Sequence, residues 1–217
     1  MSQAGGMLKT VALSMFLAWT ASAVPNVTVQ PLVDSCASYP NYDESTGRAG
    51  PWSAIADSTE TDIDGFGFVP VYASPVGNGA RWGFLTIPTT PPAKEVSMRC
   101  ADGVLQAQLD MRSLGIRWQE LVAAGTSNEA AFGFGFPDLP DPNHHLQPYA
   151  HVDVDGVRQP GVFLGSENIT TWGFNYQNNK EGGEYYFLRL LTPGSENPAT
   201  GRPLNDGEFT GFVKIRD

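Results

Sequence analysis

Tyr149, His151 and Asp153 stand at alternate positions of one short segment, Tyr149-Ala150-His151-Val152-Asp153-Val154. On a β-strand alternate side chains share a face. A phenol, an imidazole and a carboxylate then line one side, with Ala150, Val152 and Val154 on the other. The stripe supplies a donor, a group titrating near neutrality and an acceptor to orient it. Facing a cavity, it is an acid–base wall with Asp153 orienting His151; facing solvent, it is an ordinary strand exterior. Arg189 lies in Tyr185-Tyr186-Phe187-Leu188-Arg189-Leu190-Leu191 and shares a face with Tyr185, Phe187 and Leu191. It reads either as a donor to a carbonyl or oxyanion in a pocket, or as half of a buried ion pair. Trp52, Trp82 and Trp172 are candidate walls for a flat apolar ligand, with core packing as the alternative.

Other constellations carry less. His144 and His145 share a Pro-bounded loop with Asp138 and Asp141, but adjacent histidines rarely ligate one ion, so no metal is expected. The acidic run Asp57–Gly65 lacks the periodic ligands and terminal Glu of a calcium loop. There is no Gly-x-Ser-x-Gly elbow, His-Glu-x-x-His, phosphate-binding loop or dinucleotide fingerprint, and no cofactor is expected.

The elements that must position these residues read as β-structure. Short aromatic and β-branched stretches are punctuated by 24 Gly and 17 Pro, as in sandwiches and barrels. Candidate strands are Val27–Val33, Phe66–Ala73, Arg81–Ile87, Glu95–Cys100, Val104–Asp110, Ala130–Phe136, Tyr149–Val154, Val157–Leu164, Thr170–Tyr176, Glu184–Leu191 and Glu208–Ile215. Asp102-Gly103 and Asp155-Gly156 mark tight hairpins. One short helix is expected over Ile116–Ala124, where Trp118, Leu121 and Val122 fall on one side before Gly125. Glycine-rich aromatic runs such as Phe132-Gly133-Phe134-Gly135-Phe136 suggest a sheet that curls. The expected fold is all-β, an antiparallel barrel or deep sandwich of about eleven strands.

The chain opens as an export signal. Lys9 precedes the apolar run Val11–Trp19, and Ala21-Ser22-Ala23 offers small residues for cleavage. The run is shorter than the roughly 20 residues a bilayer span needs. Residues 1–23 are therefore expected to be removed, leaving 24–217 as one domain. That remainder carries 12 basic and 23 acidic residues, a formal charge of −11, which argues against nucleic acid or anionic membranes as partners. In an oxidising compartment Cys36 and Cys100 are expected to pair. Asn26-Val27-Thr28 and Asn168-Ile169-Thr170 are glycosylation sequons.

Cys36-Ala37-Ser38-Tyr39-Pro40, Gly50-Pro51-Trp52, Arg81-Trp82-Gly83-Phe84, Thr86-Ile87-Pro88 and Cys100, with the signal and length, resemble a group of fungal proteins. These are the hetero-Diels–Alderases of tropolonic sesquiterpenoid biosynthesis. The resemblance implies a β-barrel without cofactor that joins a tropolone quinone methide to a humulene-type alkene. In that reading Trp52, Trp82 and Trp172 shape a pocket for a hydrophobic substrate. Tyr149, His151 and Arg189 donate hydrogen bonds. Two other classes remain open from the residues: a lipocalin-like ligand or carbohydrate binder without turnover, and a glycoside-active enzyme with two carboxylates across a cleft.

Overall fold

In Val104–Asp110, Leu105, Ala107 and Leu109 are buried while Gln108 and Asp110 are exposed. This period of two, repeated strand after strand, builds a tube with an apolar inside. The computed structural model describes residues 26–73, 81–125, 130–136, 144–179 and 183–216. The signal segment and residues 137–143, with Asp138 and Asp141, lie outside the described residues.

The strands are β1 (Thr28–Pro31), β2 (Tyr42–Asp43), β3 (Arg48–Asp57), β4 (Val69–Tyr72), β5 (Gly83–Pro88), β6 (Met98–Ala101), β7 (Val104–Asp110) and β8 (Ile116–Ala124). They continue with β9 (Ala131–Phe134), β10 (His144–His145), β11 (Gln147–Val152), β12 (Val162–Gly165), β13 (Thr171–Asn179), β14 (Gly183–Leu190) and β15 (Phe209–Arg216). Nine of them close an antiparallel barrel in the order β3-β6-β7-β8-β9-β5-β14-β13-β15, with β15 returning to β3. Outside the ring, β12 runs along β15 and carries β11 and then β1. β4 adds to β5, β2 to β3 and β10 to β8.

All-β architecture and barrel closure agree with the sequence reading, but two details differ. Among the described residues there are fifteen strands rather than about eleven, and Ile116–Ala124 is a strand, not a helix. Its Leu121 and Ala123 join the inner core. Five of its residues pair with β7, from Gln106↔Glu120 to Asp110↔Ile116, and its last four pair with β9. The spacing of Trp118, Leu121 and Val122 is helical, but pairing overrides it. A nine-residue helix is marginal alone, whereas here both strand edges find a partner. The ten-residue β3 escaped notice because Pro51 interrupts it and its inner residues Ala49, Ala54 and Ala56 are small. Pro51 falls where the β3–β6 register shifts, the kind of irregularity that tolerates a strand proline.

The tight turns form where expected. Asp102 (φ 55°) and Gly103 (φ 80°) join β6 to β7, the paired positive angles of a two-residue hairpin.

Among the described residues, packed apolar side chains occupy the lumen. Leu85 and Ile87 of β5, Phe132 and Phe134 of β9, Trp172 and Phe174 of β13, Leu188 and Leu190 of β14, and Val213 and Ile215 of β15 belong to one core cluster. Phe132 lies edge-on to Phe68 at 5.3 Å and tilted against Trp172 at 5.2 Å. The 3₁₀ turn Cys36–Ser38 is tied to β6 by the Cys36–Cys100 disulfide, and Tyr39 beyond it stacks on Trp52 at 5.4 Å.

Candidate functional site

The sequence-derived residues fall into three places. Trp52 and Trp172 are in the packed core. Trp172 donates its indole N–H to the Leu164 carbonyl at 2.9 Å. The Trp52 indole N–H is buried without a partner among the described residues.

Tyr149 and His151 form a second, smaller cluster with Phe163 and Phe212, built on β11, β12 and β15 and flanked by Val27 and Val29. The His151 ring lies parallel to Phe163 with centroids 3.6 Å apart, and edge-on to Phe212 at 4.4 Å. Its Nε2 meets the Thr170 hydroxyl at 2.8 Å, while Nδ1 is buried and unpartnered among the described residues. Burial first, then the Lys214 charge, pushes the imidazole pKa down to about 4, against the opposing field of Asp57. His151 is therefore neutral at physiological pH. The Tyr149 hydroxyl donates to Gln147 Oε1 at 3.0 Å and accepts from Asn168 N–H at 3.0 Å. Burial raises its pKa.

Asp153 does not orient His151. It sits just past the end of β11, and its Oδ1 accepts from the Asp155 and Val157 amides at 2.9 and 2.8 Å. The carboxylate closes the Asp155-Gly156 turn, a local use that aspartate favours. The stripe is thus split: two members pack among aromatics and the third shapes a turn.

Arg189 makes the buried ion pair. Its Nε donates to Glu208 Oε1 and its Nη2 to Oε2, each at 2.7 Å, a bidentate match. Further N–H groups reach the carbonyls of Ser195 and Pro203. Glu208 also accepts from Asn205 N–H at 2.7 Å. Gly173, opposite Arg189 on β13, makes this possible: a Cβ there would come within 2.2 Å of Glu208 Oε1. The cluster staples the 192–208 segment to the outside of β13 and β14.

Trp82 leads to the surface feature best suited to an apolar ligand. It lies edge-on to Phe84 at 5.6 Å and tilted against Phe136 at 5.1 Å. Phe84 meets Phe136 at 5.6 Å and Phe187 at 5.0 Å. All four rings are only partly buried. Phe84 and Phe187 lie on the outside of β5 and β14, because their neighbours Leu85 and Leu188 turn inward, while Phe136, beyond the end of β9 and after Gly135 at positive φ, folds back over Gly133. Gly133 clears the floor: a Cβ there would meet the Phe136 ring at 2.2 Å. Tyr185 precedes Phe187 by two residues and is also partly buried. Phe84, Phe136 and Phe187 were missed as site residues. The available signal was Tyr185-Tyr186-Phe187, with aromatic residues on both faces of β14, since only one face can enter the lumen.

The partly buried His144 and His145 turn to separate carboxylates. His144 Nδ1 is 3.2 Å from Glu167, and His145 Nε2 is 3.5 Å from Asp34. Among the described residues no three His, Cys, Asp or Glu side chains cluster to hold a metal ion. No helix among them is long and apolar enough to cross a membrane.

Comparison with protein families and with curated proteins finds no match for this chain.

Proposed function

We propose that this chain is a cofactor-free pericyclase that joins a tropolone quinone methide to a humulene-type alkene by hetero-Diels–Alder cyclisation. The observation that carries the reading is the half-exposed platform of Trp82, Phe84, Phe136 and Phe187. The motif resemblance, which includes Trp82 and Phe84, supports the choice of reaction.

The chemistry asks little covalent work of a protein. Water leaves a benzylic alcohol to give the quinone methide. The cycloaddition then forms one C–C and one C–O bond with no atom lost. What a protein adds is orientation, worth up to about 7–11 kcal/mol when two partners are held in reacting geometry. A hydrogen bond at the quinone methide carbonyl stabilises the charge that builds there. Aromatic rings that remain half-wet offer the contact area for two flat apolar partners. Tyr185, on the same strand face as Phe187, is the candidate donor. The hydrogen-bonding groups of Tyr149 and Arg189 are already engaged with the protein.

The apolar packing of the lumen among the described residues weighs against a lipocalin-like carrier with its ligand inside the barrel. Secretion belongs to the same reading. It is supported by the disulfide and by the exposure of both sequon asparagines, Asn26 and Asn168.

The test is to supply the benzylic alcohol precursor and the alkene to the purified protein and resolve the adducts by chiral chromatography. The expected result is faster formation of one stereoisomer. A racemic adduct at the protein-free rate overturns the reading.

A further inference from the structure

A shallow pocket of about 230 Å³ opens outside β3, β6 and β8, beside the β2–β3 hairpin, lined in part by Arg48, Pro51, Arg99 and Trp118. Its charges are unusual for a strongly acidic chain. Among the described residues, the ion pairs engage Arg189, Arg202, Lys214 and Arg216, but neither Arg48 nor Arg99. The one carboxylate in the lining, Asp43, is committed to its own turn. Its Oδ1 accepts from Ser45 N–H at 2.9 Å and Ser45 Oγ–H at 2.7 Å, and its Oδ2 from Thr46 Oγ–H at 3.0 Å.

Arg99 is held ready. Its guanidinium lies 4.2 Å from the Trp118 ring centroid, a cation–π contact. Its Nε donates to Gln106 Oε1 at 2.9 Å. The planar fork is thereby fixed on one ring face and by one bond, with no described partner at its terminal nitrogens. Burial, then the like charge of Arg48, lowers the Arg99 pKa, with Asp102 offsetting part of this. Two guanidinium groups that repel each other across a pocket are relieved by an anion between them.

We infer that this pocket binds a small organic oxyanion, with Arg48 and Arg99 holding its charged group and Trp118 and Pro51 forming the wall for its apolar body. The site shares no residue with the aromatic platform and does not depend on the cycloaddition reading. The shared chemistry is a carboxylate or a sulfate ester, and the two are separable by titration.

The experiment titrates the full chain, disulfide intact, with benzoate, phenyl sulfate, inorganic sulfate and neutral benzyl alcohol at low ionic strength. Binding is followed by the NMR shift of the Trp118 indole N–H. At least one of the two aromatic anions is expected to saturate a single site, and the tighter one identifies the oxyanion. Benzyl alcohol and inorganic sulfate should each bind at least about tenfold more weakly. Arg48→Gln and Arg99→Gln should each weaken binding about tenfold, the scale of one lost charge-assisted hydrogen bond. Arg48 is exposed, so its variant decides the matter if the Arg99 variant does not fold. Failure of both aromatic anions to saturate overturns the inference. So does inorganic sulfate or benzyl alcohol binding as tightly, or a folded Arg48→Gln protein with unchanged affinity.

Discussion

Single residues in this protein are defined by what their polar atoms touch. His151 shows this best. Stacked on Phe163 and bonded to Thr170, it resists protonation in the fold, whereas an unfolded chain takes up the proton near pH 6.5. Its pKa is depressed, so the unfolded state binds more protons between about pH 4 and 6.5, and stability falls as pH drops through that window. Replacing His151 with Phe should remove that slope. Urea denaturation at pH 7 and pH 5 should show the difference between the two pH values shrinking by about 1–2 kcal/mol, allowing for solvent screening. A difference identical to wild type would mean that the imidazole titrates normally. Arg189 is the second case. Both partners of its ion pair are buried, and removing one strands the other. Glu208→Ala is expected to lower stability by about 3–5 kcal/mol, measured by the same denaturation. The alternation around Arg189 was legible in the sequence. Its partner, 19 residues away across a Pro-rich loop, was not, because no local pattern links a loop carboxylate to a strand guanidinium.

Individual strands were legible wherever alternation involved large residues, as in β7, β13 and β14. They were obscured where the inward residues are small or a proline breaks the ladder, as in β3. β8 is hard to read because Trp118, Leu121 and Val122 follow helical i, i+3, i+4 spacing, while its inward alternation rests on Leu121 and the small Ala123. Neighbours on both sides decide such a case, and a single segment does not contain them. The same limit governed the site. Trp82 was visible by type, but the contact of Phe84, Phe136 and Phe187 depends on β5, β9 and β14 meeting. The 3₁₀ turn Cys36–Ser38 has little burial of its own apart from Cys36. It owes its place to the disulfide, which spans 64 residues. Replacing both cysteines with Ala should cost about 4 kcal/mol in the chain-entropy account. Thermal unfolding of the double variant against wild type checks this, and an unchanged melting temperature would contradict it.

Across the whole molecule, barrel closure separates two apolar surfaces. The inner one is consumed by packing, and the outer one keeps aromatic rings only in patches. The proposed cycloaddition is accordingly placed by our reading on the outer wall, at Trp82, Phe84, Phe136 and Phe187. The same scale holds the export reading. Expression in a eukaryotic secretory host should yield a protein beginning at Val24 and shifted in mass by endoglycosidase treatment. An intact N-terminus without glycan would contradict it.

The most direct test of the central claim compares the rate and enantiomeric excess of adduct formation by wild type, Trp82→Ala and Phe187→Ala, each confirmed folded by circular dichroism. The account predicts a loss of at least about tenfold in rate for each, with eroded enantiomeric excess. Full rate and selectivity in both variants would contradict it.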